Sequence, residues 1–217
     1  MTRQPKTCSL FYQTFNQLTK LPSYVTIYIM TFFQRAYSIL IDLVETLVIA
    51  GAIFVVIYAF LFRPFQVNGQ SMFPNYHNGE YILTNLISLK LGKPTRGEVV
   101  VFQAPIDKEK DFIKRIIGVP GDKVMLSGGS VYVNGIKLDE SNYLAPDVKT
   151  YGGNFLSEGR EVMVPEGNYF TLGDNRTASS DSREWGFVPN DKLIGKSFFV
   201  YFPVNRMRFV EKGNYNL

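Results

Sequence analysis

The sequence predicts a mainly β, mostly antiparallel domain carried on a single N-terminal transmembrane helix, and three observations predict it. The run from Thr46 to Phe62 is uncharged and is the most apolar stretch of the chain. Aromatic residues make up 15% of the 217 residues, alongside frequent Val and Ile, a composition that suits pleated, half-buried strands. Beyond residue 63, short runs of such residues alternate with turn signals, among them Arg96-Gly97, Pro120-Gly121-Asp122 and Asn134-Gly135.

The anchor comes first. Thr46–Phe62 alone is at the short end of what crosses a bilayer core. Extending it back to Ser38 gives an anchor over residues 38–62, with Asp42 and Glu45 near one interface. It lacks a polar face over its last four turns and has a basic N-terminal flank, which separates it from a buried core helix. A cleaved leader is disfavoured because the run starts late and no small-residue cleavage site follows it. Residues 21–33 form a second apolar stretch, too short to span, and read as an interfacial segment within a tail of residues 1–37. Arg3, Lys6, Lys20 and Arg35 are the only charged side chains before Asp42. By the positive-inside rule the tail is cytoplasmic and everything after Arg63 lies across the membrane. Cys8 is the only cysteine, so no intrachain disulfide and no cysteine metal cluster can form.

Arg63-Pro64 is read as the helix stop, with Phe65-Gln66-Val67 as the first strand. Strands then follow at Glu98–Phe102, Phe112–Val119, Lys123–Leu126 and Val131–Val133, with Asn134-Gly135 turning into Ile136–Leu138. Residues 139–160 show no clear periodicity and read as a loop. Glu161–Val164, Tyr169–Leu172 and Ser197–Pro203 complete the set. The formal net charge of +4 resides in the tail. In residues 63–217 the basic and acidic side chains nearly cancel, which argues against a nucleic-acid partner.

Two segments carry candidate chemistry. Gly69-Gln70-Ser71-Met72-Phe73-Pro74 offers a hydroxyl in a loop, and Asp111–Gly118 places Lys114 inside an apolar strand. Serine is a poor nucleophile until a base removes its proton, and a lysine serves as that base only when desolvation lowers its pKa. Strand alternation puts Phe112, Lys114 and Ile116 on one face and Ile113, Arg115 and Ile117 on the other. The plainer alternative is a lysine on a strand edge whose ammonium reaches water. A third segment, Gly173–Arg183, is dense in Gly, Ser, Asp and Arg and follows a strand directly; alone, such a loop is most often a solvated turn. The single histidine, His77, lies among polar residues in a turn and reads as solvent-exposed.

Taken together and in order, these segments make the chain similar to the bacterial type I signal peptidases, the leader peptidases that use a serine–lysine dyad. The resemblance covers roughly residues 40–205 and rests on the anchor and Ser71-Met72-Phe73-Pro74, then Glu98–Phe102 and Lys114–Asp122. It is completed by Gly173-Asp174-Asn175-Arg176 with Ser179 and Asp181-Ser182-Arg183. It implies a signal-peptidase-like catalytic domain over residues 63–217, acting as a serine endopeptidase that removes signal peptides after small residues of the Ala-x-Ala type. Ser71 would be the nucleophile and would donate its backbone N–H to the oxyanion; Lys114 would be the general base and Ser179 the group orienting it. Arg115, Asp174, Asp181 and Arg183 would brace the loops. Phe65, Val67, Met72, Phe112 and Ile113 would line the substrate pockets. Some members place a serine two residues before the nucleophile as a second oxyanion donor; here Gly69 stands there, and a backbone N–H or water could take that role. No cofactor and no metal are implied. The implied partners are signal peptides of preproteins and membrane lipid, for a monomer in the bacterial cytoplasmic membrane.

Other readings separate on single features. Self-cleaving repressor proteases share a serine–lysine pair but lack an anchor and carry a DNA-binding domain. A conjugation-pilus processing peptidase differs only in its substrate. A membrane-tethered binding module requires Ser71, Lys114 and Ser179 to coincide by accident.

Overall fold

The computed structural model describes residues 23–215 and divides the chain into two units, Met1–Val55 and Val56–Leu217. Cys8, Arg3, Lys6 and Lys20 lie outside the described residues, as do the first residues of the tail.

The N-terminal element is one continuous helix, α1 (Ser23–Phe60). It runs without a break through the described part of the expected interfacial segment, residues 23–33, and on into the expected anchor from residue 38, since no proline and only one glycine, Gly51, falls within it. Its span Ile27–Tyr58 contains an 18-residue window with a mean hydropathy of 2.5, none of it buried, so by length and composition it can cross a membrane. Three of its hydroxyls are paired within the helix: Thr31 and Ser38 donate to carbonyls one turn back, and Thr46 donates to the Asp42 carbonyl at 2.7 Å. An apolar solvent would demand the same internal pairing.

In the second unit, helical pairing ends with the Leu61 N–H on the Ile57 carbonyl, and β1 (Phe62–Gln66) begins before the expected stop. Pro64 lies inside β1, and the strand tolerates it because β1 is at the sheet edge, where no ladder bond is lost. The strands that follow are β2 (Tyr81–Asn85), β3 (Val99–Gln103), β4 (Asp111–Gly118), β5 (Lys123–Ser127), β6 (Ser130–Val133), β7 (Ile136–Lys137) and β8 (Glu161–Met163). They are followed by β9 (Asn168–Leu172), β10 (Val188–Pro189), β11 (Leu193–Phe202) and β12 (Arg208–Phe209). Two one-turn helices, α2 (Ser88–Leu91) and α3 (Ser182–Trp185), interrupt them.

The larger sheet runs β1-β2-β11-β3-β4-β9-β10, with β12 on β11; the smaller runs β7-β6-β5-β8, and all pairings are antiparallel. Asn134 and Gly135, at φ 54° and 80°, make the tight turn between β6 and β7. Ile117 and Leu172 of the larger sheet and Val124, Leu126 and Val133 of the smaller share one apolar core. Residues 139–160 hold no helix or strand, yet Tyr143, Leu144, Thr150 and Leu156 are buried, so this loop is packed onto the domain.

Two topological facts create the site. β1 pairs only with β2, so its outer edge is open. β9 reaches only Arg115, Ile116 and Gly118 of β4, so Asp111–Lys114 are paired on one side alone, to β3.

Candidate active site

The turn carrying Ser71 is held from beneath by its own neighbours. Met72 and Tyr76, each 1% exposed, are plugged into an apolar cluster with Val67, Ile82, Val99 and Val101. The Tyr76 N–H returns to the Met72 carbonyl at 2.9 Å, so both plugs belong to one helical turn and Ser71 stays half-buried at its start. Met72, which the resemblance assigns to the substrate pockets, is buried in the core cluster beneath the turn.

Lys114 comes in on β4. It is 3% exposed, its Nζ lies 2.7 Å from Ser71 Oγ and 3.1 Å from the Ile113 carbonyl, and the Phe112 ring centroid is 5.2 Å away. Burial pushes its pKa from 10.5 down to about 8, against the opposing pull of Asp181 and Asp174.

The third loop joins the two. Arg115 grips Asp174 with two bonds of 2.8 Å and also donates to the Gly97 and Glu211 carbonyls. Asp181 accepts from the Gly173 N–H and from Arg183 Nε and Nη2, while Arg183 Nη2 also donates to the Arg176 carbonyl. Ser179 stands beside Ser71 across Gly173: a Cβ on Gly173 would fall 2.2 Å from Ser179 Oγ and 2.5 Å from the Ser71 carbonyl. Ser179 Oγ is buried without a hydrogen-bond partner, and no bond joins it to Lys114.

Several contributors went unassigned in the sequence reading. Asn75 Nδ2 donates to both Asp174 Oδ2 and the Tyr143 carbonyl at 2.8 Å, and its own carbonyl accepts from Arg208. Asn175 donates its N–H to the Ser71 carbonyl at 3.0 Å and its amide to the Gln70 carbonyl at 3.1 Å. Arg176 is buried on Glu140 and Thr150 of the 139–160 loop, which gives that loop a bracing role. Only the compact Gly-Asp-Asn-Arg run hinted at these contacts. His77 is not joined to Ser71 or Lys114; its ring packs on Phe73 and its Nδ1 lies 3.5 Å from Glu80. Among the described residues no group of three or more His, Cys, Asp or Glu side chains converges as a metal site would.

Residues 40–202 match the family described as Signal peptidase, peptidase S26. The chain is 35% identical over 181 residues to signal peptidase IB of Staphylococcus aureus (strain MRSA252), covering 78% of this chain and 93% of that one. It is 42% identical over 173 residues to a probable signal peptidase I-2 of Synechocystis sp., covering 77% and 75%. The chain belongs to the signal peptidase family. A crystal structure of a signal peptidase I from Enterococcus faecalis V583 is 30% identical, with a TM-score of 0.39, over 48% of this chain and 97% of that one. The activity is that of a signal peptidase I, a hydrolase that removes signal peptides, and the apolar α1 fits a membrane-anchored member of the family.

This signal peptidase has a groove of about 890 Å³ whose lining includes its serine and lysine. Phe65 and Val67, from β1 and the residue after it, form one wall, and Phe112, Ile113 and Lys114 of β4 form the other, with Ser71 between them. Both walls present the strand edges left open by the sheet topology.

Proposed function

We propose that this signal peptidase cleaves by a Ser71–Lys114 dyad, after small residues of the Ala-x-Ala type, on the outer side of the bacterial cytoplasmic membrane. The observation that carries the reading is the 2.7 Å contact between Ser71 Oγ and the buried Lys114 amine. With the amine neutral, the hydroxyl donates to its lone pair; Lys114 takes the proton as Oγ attacks the scissile carbonyl. The Ser71 N–H, which has no protein acceptor among the described residues, faces the developing oxyanion. Lys114 then hands its proton to the leaving amine and activates the water that hydrolyses the acyl-enzyme.

Ser179 is the orienting group in this proposal. A buried hydroxyl without a partner costs about 1–3 kcal/mol, and pairing with the lysine amine relieves it. Arg115, Asp174, Asp181 and Arg183 do no chemistry; they fix the loops. The substrate lies extended between the open edges of β1 and β4, bonded through its main chain. Walls of Phe65, Val67, Phe112 and Ile113 leave methyl-sized room beside Ser71. The basic tail stays cytoplasmic, the partners are preprotein signal peptides and lipid, with neither nucleic acid nor metal, and the enzyme acts as a monomer.

The test is cleavage of an Ala-x-Ala preprotein by the full chain in detergent or liposomes. Ser71→Ala and Lys114→Met abolish cleavage while the fold is kept; retained cleavage in either folded variant overturns the dyad.

A further inference from the structure

We propose that Asn175 is a positioning residue for the oxyanion site: its side-chain amide holds the Gln70–Ser71 peptide so that the Ser71 N–H stays aimed at the scissile oxygen. The inference rests on the reading of Ser71 as nucleophile and oxyanion donor.

A peptide unit is a rigid plane in which C=O and N–H point in opposite directions. The Gln70 carbonyl and the Ser71 N–H belong to the same plane, so a group that fixes the carbonyl fixes the direction of the N–H. Two donors reach that carbonyl at 3.1 Å, the Phe73 N–H from within the turn and Asn175 Nδ2 from the facing loop, so Asn175 is what ties this plane to the rest of the site. The Asn175 backbone N–H donates to the Ser71 carbonyl at 3.0 Å, which holds the next plane as well. Two successive peptides of the nucleophile turn are thereby pinned by one residue.

The amide orientation follows from its partners. A carbonyl oxygen accepts only, so the amino end must face Gln70, while the Thr177 hydroxyl donates to Oδ1 at 3.2 Å. Donation to a carbonyl also polarises its amide and strengthens the N–H on the other side.

The support matters because the upstream side of the turn is exposed and little packs against it. Gly69 sits at φ +100° with no atom within 4 Å of where a Cβ would be, and Gly69 and Gln70 are both exposed. The Gly69 N–H is already committed to Asn78 Oδ1 at 2.8 Å, so in this geometry Gly69 does not serve as the second oxyanion donor. That leaves the Ser71 N–H with a larger share of the work and makes its direction more consequential.

The experiment compares wild type with Asn175→Ala, Asn175→Asp and Asn175→His in the full-length enzyme. Each is assayed for kcat and KM on an Ala-x-Ala peptide, for its pH profile, and for binding of a peptide aldehyde ending in alanine, which forms a tetrahedral adduct on the serine. Loss of a direct oxyanion donor costs about 10²–10³ in kcat; misdirecting one is expected to cost roughly tenfold to a hundredfold on the same scale. Asn175→Ala lowers kcat and aldehyde affinity together, with KM and the pH limb set by Lys114 unchanged. Asn175→Asp is worse, since a carboxylate repels the Gln70 carbonyl, and Asn175→His, which keeps an N–H donor, recovers part of the loss. Wild-type kcat in Asn175→Ala, or a loss expressed as raised KM or a displaced pH limb, overturns the proposal. Ser71→Ala is the control: if it still cleaves, the dyad reading has failed, whereas an inactive Ser71→Ala beside a fully active Asn175→Ala sinks only the role of Asn175.

Discussion

Arg115 and Asp174 meet fork to fork, Nε on Oδ1 and Nη2 on Oδ2, both at 2.8 Å and both sealed from solvent. Each is next in sequence to a residue that touches the nucleophile turn: Lys114 precedes Arg115, and Asn175 follows Asp174. The pair thus locks the strand bearing the base to the loop that grips the Ser71 backbone. Charge-assisted two-pronged pairing has the directionality for this, which a single point charge lacks.

Asp174→Asn leaves a guanidinium buried with no compensating charge, although the Gly97 and Glu211 carbonyls remain. Breaking one side of such a pair costs about 3–5 kcal/mol. Denaturant unfolding should show a loss of that order, accompanied by a drop in cleavage. Arg115→Lys should not restore either quantity, because an ammonium cannot reach both oxygens and both carbonyls. A Lys variant of wild-type stability and activity would contradict this account.

The pH dependence follows from the buried amine. Only neutral Lys114 accepts the serine proton, and its pKa sits at about 8 because burial disfavours the charged form. Cleavage measured as kcat/KM should rise about tenfold per unit below that value and level off above it. A profile that is flat from pH 6 to 9, or that falls above neutrality, speaks against Lys114 as base.

Much of this architecture was legible in the chain itself. Most strands of the β domain were visible as Val/Ile/aromatic runs between turn signals, and strand alternation correctly separated Lys114 from Arg115. What was not legible depended on partners distant in sequence. β2 has the strand residues Tyr81, Ile82 and Leu83 but no turn dipeptide to delimit it on both sides, and it is defined by its pairing with β1 and β11. The resemblance assigns Met72 to the pockets, and nothing local in the sequence shows that it packs with Val99 and Val101 beneath the turn. Asn75 and Asn175 are small polar residues in loops, and nothing local says that their amides will reach Asp174 and Gln70. The 139–160 loop lacks periodicity, so its Glu140–Arg176 brace had no sequence signal.

Gly173→Ala is a sharper probe than its size suggests. The added methyl would fall 2.5 Å from the Ser71 carbonyl and 2.2 Å from Ser179 Oγ, far inside contact distance. Ser179 can rotate its hydroxyl away but not its Cβ, which would lie 2.6 Å from the methyl, and the Ser71 backbone moves only with its turn. Misplacement of about 1 Å is enough to cost on the order of a hundredfold in rate. We expect a folded variant with kcat reduced by at least that factor; wild-type cleavage would mean that the loop and the turn are not in the contact described.

Lys114→Met should make the protein more stable while removing its activity. In the unfolded chain the lysine titrates near 10.5, and in the folded protein near 8. Between these values the unfolded state binds more protons, so wild-type stability rises with pH across that window. Below about pH 8 both states are protonated and the full penalty of burying the charge applies, on the order of 3 kcal/mol from the width of the window. Above about pH 10.5 both are neutral and the penalty vanishes. Methionine carries no charge and fills similar space, although it forfeits the bond to Ser71 Oγ, which offsets part of the gain by about 1 kcal/mol. Thermal melts of the two proteins in the same detergent should therefore differ most at pH 7, with the variant higher, and the gap should close as the pH approaches 10. A gap that is independent of pH would mean that Lys114 is not desolvated in the folded enzyme, and the physical basis for its acting as a base would be gone.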